Sequence, residues 1–194
     1  MEAKTTKSKR VQLLRRTTFI AVALALALIA TAFAAVYYSL TIQPDVTITP
    51  APIRFAQGAD WPTGSTLGAN STWVRLALKA YPNATMVYEK PVNISNTDTS
   101  SHTFRLRHVS ISPATGAMSV SNFTFIRFVV RNTAGVSQAS FNYTTTVDTW
   151  NTPATTSYLT LLANTQWVLY VETKATANAN TNIVARIQIA IDVQ

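Results

Sequence analysis

The chain contains no cysteine, which excludes a disulfide framework and every thiolate metal or redox site. Glycine occurs five times in 194 residues, few for loops that cradle phosphate, and no G-x-S-x-G elbow or H-E-x-x-H helix is present. Glutamate occurs three times, and the two histidines are His102 and His108. Six positions apart on a strand rising about 3.3 Å per residue, these rings stand about 20 Å apart on one side, too far to share a metal. With seven scattered carboxylates from Ala35 onward and no acid/base pair, the chain reads as a non-enzyme without cofactor or metal.

Charge is scarce and unevenly placed. Residues 1–34 hold six Lys/Arg against Glu2, a balance of +5, and from Ala35 onward ten Lys/Arg stand against seven Asp/Glu, or +3. The net +8 therefore belongs mostly to the first sixteen residues. The exported part is too weakly basic for a nucleic-acid partner. Arg105, Arg107, Arg127 and Arg131, spaced two or four apart, read as a solvated sheet face, with a basic stripe on one sheet as the competing role.

"MEAKTTKSKRVQLLRR" followed by "TTFIAVALALALIATAFA" has the basic, apolar and small-residue regions of a secretory signal, with an A-x-A site whose cleavage separates Ala34 from Ala35. The competing reading retains Phe19–Tyr38 as a membrane anchor, since twenty helical residues span a hydrocarbon core of about 30 Å. Both readings place the remainder outside the cytoplasm, in contact with a membrane only through the N-terminal segment. Five N-x-S/T patterns, at Asn70, Asn83, Asn93, Asn122 and Asn142, are candidate glycosylation sites. Asn122 sits in an apolar segment, where a buried structural role competes.

What the exported part has in abundance is threonine, 30 residues in the whole chain, with 14 serines and many Val, Ile and aromatic residues, a composition that suits pleated, half-buried surfaces. Apolar side chains recur with period two. "NIVARIQIAIDV" sets Ile183, Ala185, Ile187, Ile189, Ile191 and Val193 on one face, a half-buried strand. "NFTFIRFVVR" is apolar on both faces and reads as a central strand. Further strands are expected in "TWVRLALKAY", "TMVYEK", "HTFRLRHVSI", "ASFNYTTTVD", "TSYLTLLA" and "QWVLYVETK". Turns are expected in "DWPTGSTLGAN", "NISNTDTSS", "SPATGAMS", "NTAG" and "TANANTN". In "HTFRLRHVSI" Phe104 and Leu106 share one parity and Val109 and Ile111 the other; one extra residue near Arg107-His108, a β-bulge, returns both pairs to one face. The fold class is all-β, a β-sandwich of jelly-roll or immunoglobulin-like type over residues 45–194. Trp61, Trp73, Trp150 and Trp167 read as core or strand-edge aromatics, with a carbohydrate groove as the competing role.

After Ala34 the chain reads "AVYYSLTIQPDVTITPAPIRFAQG". Val36, Tyr38, Leu40 and Ile42 fall on one face, and Pro44 breaks the alternation as a hinge, so residues 35–44 form a strand and hinge set apart from the domain. An exposed apolar strand is an aggregation hazard in a monomer. Completing a neighbour's sheet instead, its four side chains at about 1.5–3 kcal/mol each supply about 6–12 kcal/mol before ordering costs. Such a head-to-tail contact builds an open filament.

This layout of signal, apolar alternating strand "VYYSLTI", proline hinge and Cys-free, Thr- and Asn-rich sandwich entered through "PDVTITPAPIRFAQG" resembles the TasA-like archaeal bundling pilins and thread subunits. The resemblance implies a jelly-roll-like sandwich, an extracellular homopolymer joined by donor-strand complementation, and a part in cell adhesion, bundling to neighbouring filaments or cells, or biofilm. Two other readings stay open: a type IV pilin-like subunit that keeps Phe19–Tyr38 as a helix, and an anchored surface-layer or carbohydrate-binding module using Trp61 or Trp73.

Overall fold

The computed structural model describes residues 49–113, 120–180 and 183–194, together with Thr18 and residues 20–22. Thr18 and residues 20–22 are helical, with Ile20 and Val22 exposed. No helix among the described residues is long and apolar enough to cross a membrane. The chain forms two compact units, Met1–Ile48 and Thr49–Gln194, and the second carries the sandwich.

Its strands are β1 (Ile53–Gln57), β2 (Thr66–Leu67), β3 (Trp73–Leu78), β4 (Thr85–Asn96), β5 (His102–Ser112), β6 (Phe123–Arg131), β7 (Ser137–Thr146), β8 (Thr149–Asn151), β9 (Leu159–Leu161), β10 (Gln166–Ala175) and β11 (Ala185–Val193). They form two sheets, one ordered β1-β4-β10-β6-β7-β8 and the other β2-β3-β11-β5-β9, with every strand pair antiparallel. Without the short additions β1, β2 and β8, the pairs β3–β11, β4–β10, β5–β9 and β6–β7 are the rungs of one long hairpin. Rolled up, that hairpin distributes its strands between the two sheets as a jelly roll. The topology thus separates the jelly roll from the immunoglobulin-like alternative.

The core lies between the sheets, where alternate residues of each strand point inward. Along β11, Ala185, Ile187 and Ile189 are fully buried and Ile191 nearly so, while Arg186 is exposed, as the period-two pattern requires. β6, apolar on both faces, is flanked by β10 and β7. Its Phe128 stacks on Phe141 at 4.9 Å between ring centroids and meets Tyr143 edge-on at 5.7 Å. The β6–β7 turn in "NTAG" is tied by Asn132, whose Oδ1 accepts the amides of Ala134 and Val136, and Gly135 supplies the left-handed φ of 77°.

Several expected boundaries move. β4 continues past "TMVYEK" through Pro91 to Asn96, so that "NISN" is strand and not turn. A proline lacks the ladder donor, and the register against β10 shifts between Leu169 and Val171, opposite this stretch. There Asp60 Oδ2 accepts the amides of Glu89 and Lys90, each at 3.0 Å. Asn96 is buried at its end; Nδ2 donates to the carbonyls of Ser100, Leu161 and Leu162, and Oδ1 accepts the Asp98 amide. "TSYLTLLA" forms a strand only over Leu159–Leu161. The bulge in β5 is present: Ile189 pairs with His108 and Gln188 with Ser110, leaving Val109 as the extra residue. Phe104, Leu106 and Ile111 then share the buried face, but Val109 turns outward and is 41% exposed, so the expectation for that one side chain is corrected.

Candidate functional site: an open sheet edge

A sheet edge offers unpaired amides and carbonyls, and sandwiches shorten or cover such edges. β2 has two residues, and β8 and β9 have three each. β1 is tied along its edge by the Phe55 amide donating to the Ser71 carbonyl at 2.7 Å. A longer run is left on β7. It pairs with β8 only over Thr144–Thr146, so that among the described residues Ser137–Tyr143 has a strand neighbour, β6, on one side alone.

The facing edge in the other sheet is β5, which pairs with β9 only over His102–Phe104. Between these two edges runs the β8–β9 connection, Thr152–Tyr158, without regular strand pairing. Thr156 fastens it: its amide donates to the Leu106 carbonyl at 3.0 Å and its Oγ1 accepts the Leu106 amide at 2.9 Å. A groove of about 470 Å³ remains along β7, lined by Ala139, Ser140, Phe141, Pro153, Ala154 and Leu159 among others. Its lining mixes apolar side chains with small hydroxyls, which suits an extended peptide whose alternate residues point toward the core.

The sandwich is bridged beside this opening by His108 of β5 and Tyr143 of β7, with His108 Nδ1 2.8 Å from the Tyr143 hydroxyl and the rings in edge contact. Burial lowers the His108 pKa and raises that of the Tyr143 hydroxyl, so a neutral imidazole faces a protonated phenol. His102 is engaged elsewhere, its Nε2 2.7 Å from Asp98 Oδ2. That hydrogen bond, first among several causes, holds the Asp98 carboxyl below its ordinary value. No group of three metal-ligating side chains occurs among the described residues.

The sequence-predicted residues are distributed as follows. Ala34, Ala35, the donor positions Val36, Tyr38, Leu40 and Ile42, and the hinge Pro44 lie outside the described residues. Asn70, Asn83 and Asn142 are exposed, and Asn93 is half-buried with Nδ2 donating to the Gln57 carbonyl. Asn122 is buried; its Oδ1 accepts the Asn180 amide and its carbonyl accepts that of Thr176, so this sequon serves the 176–180 turn in the folded chain. Trp150 is buried and Trp61, Trp73 and Trp167 are half-buried. The supposed single arginine stripe is corrected: β5 and β6 belong to different sheets. Arg105 and Arg107 therefore share Asp192 on one, and Arg127 pairs with Glu172 on the other. The open edge and its groove carry no motif; the nearest sequence signal is "NTPATTS", where alternation stops although no turn is needed.

No protein-family model and no curated protein matches the chain. Among solved structures it is similar to the enzymatically active domain of tailspike protein 4 of bacteriophage CBA120, with a TM-score of 0.29 and 14% identity. The match covers 75% of this chain and 20% of that one, so the chain spans about a fifth of that structure's length.

Proposed function

We propose that this protein is the structural subunit of an extracellular filament, polymerised head to tail by donor-strand complementation, with a part in cell adhesion, bundling or biofilm. In this reading the signal is removed after Ala34, and Val36–Gln43 leaves its own subunit at Pro44. It pairs with β7 of the next subunit along Ser137–Tyr143, and Val36, Tyr38, Leu40 and Ile42 fill the groove beside Phe141 and Leu159. The subunit acts as neither enzyme nor cofactor carrier, and its partner is another copy of itself.

The observation that carries the reading is a match of needs. The sequence supplies an apolar alternating segment, and among the described residues β7 has a seven-residue run, Ser137–Tyr143, with no strand on its outer side, next to a groove of about 470 Å³. A seven-residue edge of this kind is a template for another chain. The test is deletion of residues 35–43. Filaments seen by electron microscopy are expected to disappear while the thermal unfolding of the Thr49–Gln194 unit persists. Unchanged assembly after the deletion contradicts the reading, and a surface protein that begins near Thr17 favours a retained helix in its place.

A further inference from the structure

The outer face of the second sheet is unlike the rest of the domain. Inward-pointing Val74, Leu76, Leu106, Ile187 and Ile189 leave Arg75, Arg105, Arg107, Arg186 and Asp192 pointing outward on neighbouring strands. Four arginines against one aspartate give this face +3, whereas the other six basic and five acidic groups of Thr49–Gln194 leave +1. Asp192 is shared between Arg105 and Arg107, at 3.3 and 3.2 Å, and the Arg105 guanidinium also stands 5.1 Å from the Tyr158 ring centre. Arg75 and Arg186 are exposed and form no ion pair among the described residues. They flank Gln188, which lies in register with Arg75 on β3 and with Ser110 on β5.

We infer that this face binds an acidic polysaccharide, with Arg75 and Arg186 as its principal contacts. An arginine fork matches a carboxylate or sulfate in two hydrogen bonds, and Gln188 and Ser110 between the forks offer partners for sugar hydroxyls. Strands about 4.8 Å apart set these groups on a flat lattice without a groove, which receives an extended chain laid across it. Duplex DNA, with one charge per about 1.7 Å, needs a denser cationic array than two unpaired and two half-neutralised arginines. A lipid surface calls for several apolar residues to insert together, and among β3, β5 and β11 Val109 is the one exposed large apolar side chain. A second copy presents the same sign of charge and is repelled. The inference does not depend on polymerisation.

The test measures binding of the full chain to polygalacturonate, dextran sulfate, neutral dextran and duplex DNA at about 50 mM salt, where surface charges are weakly screened. Both exchanged arginines are exposed, and circular dichroism verifies that each variant is folded. R75Q/R186Q is expected to weaken binding to an acidic polysaccharide by about tenfold, while the charge-matched K90Q/K174Q, in the other sheet, stays within about twofold. The stronger of the two acidic probes identifies the carboxylated or sulfated source. Equal losses in the two variants overturn the inference, as do equal binding of neutral dextran, tighter binding of DNA than of either acidic polysaccharide, or no binding of either acidic probe.

Discussion

At the scale of residues, the apolar core is supplemented by polar side chains that sequence patterning reads as loop. Asn96 is the clearest case. Its amide crosses from the end of β4 to the carbonyls of Leu161 and Leu162, and burial denies the Leu161 carbonyl water as a substitute. Asn96→Ala is expected to destabilise the domain by about 2–3 kcal/mol, the cost of leaving buried groups unpaired, measured as a lower urea midpoint at unchanged slope. "NISN" looked like a turn because asparagine and serine favour turns in general; that a turn-former is buried depends on a partner 65 positions away, which no local pattern encodes. The same reasoning separates Asn122 from the other four sequons. Its burial was legible from the apolar residues around it, but its partner Asn180 was not.

At the scale of elements, the strands of strong alternation, β5, β6, β10 and β11, were readable with nearly their observed ends, because one buried face imposes period two. The bulge in β5 was legible for the same reason, as a slip of parity. β1, β2 and β8 were not, since two to five residues carry too little periodicity, and β4 was cut short because Asp60, thirty positions upstream, supplies the acceptor that a bulge at Pro91 requires. The link between β5 and β7 through His108 and Tyr143 makes a pH prediction. Burial sets the folded pKa of His108 below its unfolded value of about 6.5, so its stabilising contribution is complete above that value and is lost as the pH falls through the lower folded one. Denaturant midpoints are expected to drop as the pH falls below about 6.5, and His108→Gln is expected to flatten that drop. A profile unaffected by the substitution contradicts the assignment. Asp192 and Asp98, held low by Arg107 and His102 respectively, have the same sign but act at more acid pH, below the ordinary carboxylate range.

At the scale of the whole molecule, the jelly roll accounts for where its openings lie. Rolling one hairpin into two sheets leaves four edges; this chain shortens or ties three of them, and among the described residues most of β7 has no strand on its outer side. Strand order of this kind is set by long-range pairing, so the sequence could offer the sandwich class but neither its topology nor its open edge. The segment proposed as donor, Val36–Gln43, was legible in the sequence, whereas the β7 edge proposed to receive it was not. The most direct measurement joins the two. The chain lacking residues 35–43 is mixed with a synthetic peptide of residues 35–43, and amide hydrogen exchange is followed. Donor-strand polymerisation predicts that the peptide binds and raises the melting temperature, and that new protection is concentrated on Ser137–Tyr143. A peptide that leaves exchange on β7 unchanged, or that protects a different edge, contradicts it.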